Sequence, residues 1–168
     1  RAPEGNHPPT VVFVGRFVPE KGLDTLLAAW ARAKRPPGWR LRLVGGGALD
    51  AELRALAARL GVADSVDFPG PSTAVENELA TSDIGVLSSR FEGLSNTLLE
   101  YMAAGLPVIA TRISGSEDFV IPERNGWLTE VGEVDGLAAA LGEAMAMPVA
   151  ARQAFGAQAR RDVMAKAS

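Results

Sequence analysis

Cysteine is absent from the 168 residues, which removes disulfides, thiol nucleophiles and thiolate metal sites together and fits a reducing compartment. Histidine occurs once, as His7, in a proline-rich opening where it reads as an exposed linker residue rather than a ligand or base. That position argues against a Ser-His-Asp triad. No apolar run approaches the roughly 20 residues of a transmembrane helix, and the first seven residues lack the apolar stretch of a signal peptide. The expected location is therefore cytoplasmic. A net charge of -3 leaves no electrostatic footprint for nucleic acid or an anionic membrane. Any anionic ligand must be held by a local cluster.

What is present is an ordinary globular mixture, 47% hydrophobic and 22% charged, in a chain long enough to bury about 70% of its unfolded surface as one domain. Residues 1–10, with Pro3, Gly5, Pro8 and Pro9, read as a linker leading into a domain over 11–168, as in a chain that begins mid-protein. Val11 to Val14 is a buried strand, followed by the loop Gly15-Arg-Phe-Val-Pro-Glu-Lys-Gly22 and an amphipathic helix from Leu23 to about Lys34. Trp39 to Val44 alternates as a second strand before Gly45-Gly-Gly47 and a helix from about Asp50 to Leu60. Ser65 to Phe68 makes a third strand, Pro69-Gly-Pro-Ser72 a turn, and Ala74 to Ala80 a short helix. A fourth strand, Ile84 to Leu87, precedes a helix capped by Ser95 or Asn96 and ending near Ala104. A fifth follows at Val108 to Ala110, then one helical turn around Asp118 to Val120 and an edge strand within Asn125 to Thr129. Two last helices span about Val134 to Met147 and Ala150 to Ala165, with Pro148 between them.

Strands alternating with helices imply right-handed crossovers and a Rossmann-like, doubly wound α/β fold, its sheet mostly parallel with helices on both faces. Ligands in such sheets bind outside the carboxyl ends of the strands. The unusual residues converge on that edge: Arg16 and Lys21 after the first strand, Gly45 to Gly47 after the second, Pro69 to Ser72 after the third, Glu92 to Asn96 after the fourth. Arg16 offers a planar fork and Lys21 a mobile point charge, a pair able to bracket a diphosphate. The N-terminus of the helix beginning near Ser95 adds free N–H groups and a positive dipole end. Glu92 in the loop and Glu100 one turn into that helix can flank whatever is bound there.

The string Phe91-Glu-Gly-Leu-Ser-Asn-Thr-Leu-Leu-Glu-Tyr-Met-Ala-Ala-Gly-Leu-Pro-Val-Ile-Ala-Thr111, with its Glu-x7-Glu spacing, resembles the donor-site motif of retaining GT-B glycosyltransferases of family 4. Gly15-Arg16 with Lys21-Gly22, and Leu43-Val-Gly-Gly-Gly-Ala-Leu49, are similar to two further elements of that family, and the likeness extends from Val11 to about Ala165. Ala48 stands where the family usually has proline, and Pro69 where leucine is common.

The resemblance implies one half of a GT-B fold that binds a nucleotide-diphosphate sugar. Glu92 would contact the donor sugar and Glu100 the ribose. The backbone of Gly93, Leu94, Ser95, Asn96 and Thr97 would face the diphosphate, with Gly15, Arg16 and Lys21 on its phosphates and Pro69 in the segment lining the base. Catalysis would rest on Glu92, Arg16 and Lys21, with no metal and no further cofactor. The activity implied is hexosyl transfer to an acceptor hydroxyl in polysaccharide or glycolipid synthesis. The acceptor site would lie on an N-terminal domain absent from this chain, which would also supply any membrane attachment. Alone, the chain would bind donor and transfer little.

Two other readings use the same residues. A non-catalytic nucleotide-binding or interaction module would keep the fold and phosphate site. A nicotinamide dehydrogenase is disfavoured because Asp50 occupies the last glycine position of Gly-x-Gly-x-x-Gly.

Overall fold

The computed structural model describes residues 7–91, 95–113 and 115–167. Six strands form one sheet: β1 (Thr10–Val14), β2 (Arg40–Val44), β3 (Val66–Gly70), β4 (Ile84–Leu87), β5 (Val108–Thr111) and β6 (Gly126–Thr129). All pair in parallel, in the order β3-β2-β1-β4-β5-β6. β4 and β5 are buried along their whole length, as continuous apolar runs must be when helices cover both faces. β2 instead alternates: Leu41 and Leu43 enter the core, while Arg40 forks onto both carboxylate oxygens of Asp67 at 2.9 and 2.7 Å and Arg42 reaches Glu78 at 2.8 Å.

The helices are α1 (Leu23–Arg32), α2 (Asp50–Arg59), α3 (Val75–Ala80), α4 (Asn96–Ala103), α5 (Ser116–Phe119), α6 (Val134–Ala146) and α7 (Val149–Ala167). α1 packs against α2 and α6, and α4 against α7. Leu23, Leu26, Leu27 and Trp30 give α1 its buried stripe. α1 stops at Arg32, two residues short of the expected end, because Ala33 is extended (φ -64°, ψ 145°). The Arg35 guanidinium then caps the carbonyl of Trp30, and Pro36, which has no N–H, could not have continued the ladder. Among the described residues no single helix is long and apolar enough to cross a membrane.

Three further expectations are corrected. Pro69 and Gly70 belong to β3 rather than to a turn, with Gly70 in register with Val44. β3 is an edge strand, where a proline's missing N–H is tolerated. The helical turn after β5 lies at Ser116–Phe119, slightly earlier than the sequence suggests. His7 is not an exposed linker residue: its side chain is 9% exposed and its Nδ1 lies 2.8 Å from the Pro8 carbonyl and 3.7 Å from the buried Asp83 carboxylate. Asp83 itself accepts the Thr10 N–H at 2.8 Å, so this cluster anchors the first residue of β1.

Candidate functional site

The strand order reverses between β1 and β4. Chain after β1 moves one way to β2 and β3, and β4 to β6 extend the other way. The two strands part there, because their ladder stops at Val12↔Gly85. Beyond it the Tyr101 hydroxyl of α4 is inserted between them, accepting from Val14 N–H at 2.9 Å and donating to the Val86 carbonyl at 3.1 Å. Gly85 makes room for the ring: a Cβ at that position would stand 2.5 Å from Tyr101 Cδ2. Sheets of this kind open a ligand crevice at such a point, outside the strand ends.

The loop after β1 is held from two sides. On one, Gly15 N–H donates to Val44 O at 3.0 Å, Phe17 N–H to Gly46 O at 2.8 Å, and Leu49 N–H to Phe17 O at 3.2 Å. Gly45, at φ 146°, has no space for a side chain, since its Cβ would run into the Gly15 carbonyl. The glycines after β2 thus serve close backbone approach as well as turning.

On the other side the segment after β4 takes hold of the one-turn 3-10 helix Pro19–Lys21. The Ser88 hydroxyl lies 2.9 Å from the Lys21 carbonyl and 3.1 Å from that of Gly22. Arg90 N–H donates to Glu20 O at 2.8 Å, its Nη1 to Pro19 O at 3.0 Å, and its Nη2 lies 2.7 Å from each carboxylate oxygen of Asp24. From β5, the Thr111 hydroxyl donates to Ser89 O at 2.7 Å.

Of the site residues expected from sequence, Gly15, Arg16 and Lys21 lie on the β1 loop and Pro69 at the exposed end of β3. Ser95 is the N-cap of α4, accepting Leu98 N–H at 3.2 Å, and Asn96 and Thr97 open the helix. Glu100 is exposed one turn later and lines a groove of about 370 Å3 with Val75, Glu76 and Leu79 of α3 and Arg160 of α7. Glu92, Gly93 and Leu94 lie outside the described residues. β1 and β4 therefore bring the two loops and the start of α4 to one edge, while Glu100 looks into the neighbouring α3–α4 groove.

The cations on this edge differ in commitment. Arg112, after β5, donates to Glu130 at 2.9 Å and lies 3.8 Å from Glu117, and the Glu130 hydrogen bond raises its pKa above the usual arginine value. Arg90 is occupied by Asp24. Arg16 is exposed and has no side-chain hydrogen bond or ion pair among the described residues. Those residues also contain no group of three His, Cys, Asp or Glu side chains able to hold a metal ion. Sequence reading gave no role to Ser88, Arg90 or Tyr101. Two polar residues directly after a buried strand were the available signal.

The open parallel sheet is of doubly wound, Rossmann type, and the edge at its switch point carries a helix N-terminus and an arginine without an ion pair among the described residues. The chain belongs to the family described as Glycosyl transferases group 1, whose profile matches residues 2–162. It is 39% identical over 138 residues to the lipopolysaccharide core biosynthesis glycosyltransferase LpsE of Rhizobium meliloti, covering 82% of this chain and 40% of that protein. It is 37% identical over 174 residues to the GDP-mannose-dependent alpha-(1-6)-phosphatidylinositol monomannoside mannosyltransferase of Mycobacterium tuberculosis, covering 94% and 45%. The chain thus spans less than half the length of these relatives. Among solved structures it superimposes on Anabaena Alr3699/HepE in complex with UDP and glucose (TM-score 0.85, 25% identity, 95% of this chain and 44% of that one). It also superimposes on S. aureus TarM (TM-score 0.86, 24% identity, 99% and 34%), where the likeness speaks for the fold alone.

Proposed function

We propose that residues 11–168 form the donor-binding domain of a retaining, family 4 type glycosyltransferase that moves a hexose from a nucleotide-diphosphate sugar to an acceptor hydroxyl. The observation that carries this is that the loop bearing Arg16 and Lys21 and the N-terminus of α4 lie on one edge of the sheet, where the strand order reverses between β1 and β4. Arg16 forks onto the diphosphate, Lys21 supplies a second positive charge, and the α4 dipole adds to them as the leaving group gains charge. Glu92 orients the donor sugar. Glu100, exposed one turn into α4, takes the ribose, which directs the base towards β3 and Pro69. The acceptor hydroxyl approaches on the face the sugar leaves from, its proton passing to a leaving-group oxygen, so the chain works by placement and charge stabilisation.

Two findings support a nucleotide-sugar donor: one relative's name specifies GDP-mannose, and a neighbouring structure holds UDP and glucose. The acceptor site belongs to an N-terminal domain outside this chain, so the chain alone binds donor and transfers little. Its lack of cysteine fits work in the cytoplasm.

The test is calorimetric titration of the chain with UDP, GDP and ADP, then their hexose conjugates, repeated on Arg16→Ala. Binding of one diphosphate, weakened by the substitution while the melting temperature stays put, is the expected result. A folded chain that binds none of them, or binds equally well without Arg16, refutes the assignment. In the full-length enzyme, Glu92→Gln is expected to cut transfer while diphosphate binding survives.

A further inference from the structure

We propose that Arg90 is a positioning residue for the donor diphosphate, acting through Lys21 by clamping the loop after β1 onto the segment after β4. The inference rests on the donor-site reading above. Its basis is that two residues of the segment after β4 reach four consecutive carbonyls, from Pro19 to Gly22. Arg90 takes Pro19 through Nη1 and Glu20 through its backbone N–H, and the Ser88 hydroxyl faces Lys21 and Gly22.

Arg90 Nη2 closes the clamp on Asp24 in the first turn of α1, with both oxygens at 2.7 Å. Gly22 is left-handed (φ 61°, ψ 32°), and a Cβ there would collide with the Ser88 carbonyl. Only glycine lets the two segments come this close. A lysine side chain is long, so where its ammonium can reach depends on how its backbone is held, and the clamp fixes the backbone on both sides of Lys21. Arginine suits this because its rigid fork serves a carbonyl and a carboxylate at once, which a lysine ammonium at the same place cannot reproduce.

A clamp that acts through Lys21 should matter to the β-phosphate and not to the nucleoside. The chain is therefore titrated with UDP and UMP, GDP and GMP, ADP and AMP, as wild type, Arg90→Ala and Arg90→Lys. Arg124→Ala, which breaks the Arg124–Asp162 pair between the segment entering β6 and α7, away from the clamp, is the control. For whichever base binds, Arg90→Ala is expected to lower diphosphate affinity about tenfold, the size of one charge-assisted hydrogen bond, with monophosphate affinity unchanged.

Arg90→Lys should recover little, and the control should keep the wild-type ratio. Asp24→Asn, which removes the charged partner and leaves β4 untouched, is the second variant should Arg90→Ala fail to fold, and is expected to lose the same preference in smaller measure. If wild type binds a diphosphate and these variants retain its preference over the monophosphate, or lose both ligands equally, the clamp is a plain structural staple and the proposal falls alone. If wild type binds no diphosphate, the donor-site reading falls and takes the proposal with it.

Discussion

Replacing Tyr101 by phenylalanine isolates the hydroxyl that spreads β1 from β4. The ring is fully buried and phenylalanine fills the same space, so no cavity term enters. What is lost is the partner of two backbone groups, the part-buried Val14 N–H and the buried Val86 C=O, bonded at 2.9 and 3.1 Å. Leaving one buried group unpaired costs about 1–3 kcal/mol. The strands recover part of this only by closing towards each other, which the ring itself resists. A net loss of about 2 kcal/mol is expected, or about 4–8 °C in melting temperature for a chain of this size. Urea unfolding should show a lower midpoint with unchanged slope. Amide exchange should quicken at Val14 beyond the global change, because that N–H alone loses its acceptor. A stability within about 0.5 kcal/mol of wild type, with Val14 still protected, would mean that the hydroxyl does not carry these bonds.

Gly85→Ala should destabilise by about 1–3 kcal/mol through overpacking, its Cβ meeting Tyr101 Cδ2 at 2.5 Å. In a Tyr101→Leu background the same change should cost much less, and additivity in urea unfolding would contradict the contact. Asp162 anchors α7 by accepting from Arg124, Gln158 and Asn125, and these bonds, the Arg124 guanidinium first, hold its carboxyl below the ordinary carboxylate range. Its contribution is therefore present above the unfolded carboxylate pKa of about 3.9 and fades as pH falls towards the folded value. Asp162→Asn should cost about 1–3 kcal/mol at pH 7, narrowing below about pH 4, as read from urea midpoints across that range.

How much of this was legible follows from what each feature needs. β4 and β5 are continuous apolar runs bounded by polar or turn residues, and Ser95 stands one residue before α4, so their places could be read to within a residue. Position within a sheet is a tertiary fact. Pro69 looks like a turn until β3 proves to be an edge, and His7 looks like linker until Asp83, 76 residues on, lies beside it. The candidate cations of the β1 loop could be picked out because Arg16 and Lys21 sit on one short segment. The devices that hold it could not, because Arg90 and Asp24 are 66 residues apart and Tyr101 and Val14 87. No periodicity or local motif encodes those pairs; they exist only once β1 and β4 are neighbours.

Neighbouring strands also decide which charge remains for a ligand. Arg90 and Arg112 stand on the carboxyl edge with their own acids, Asp24 and Glu130, and a side chain already paired gains little by exchanging one anion for another. Arg16 is exposed with no such pair among the described residues, so in the proposed site its attraction for a diphosphate would be undiminished by competition but open to screening. The overall charge of -3 gives no compensating long-range pull. Diphosphate affinity should therefore fall several-fold between about 0.05 and 0.5 M salt, as the Debye length shrinks to a few ångströms. Arg16→Ala should flatten that dependence in the same calorimetric titration. An affinity indifferent to salt would place recognition on the base and sugar, and would remove Arg16 from the phosphate site.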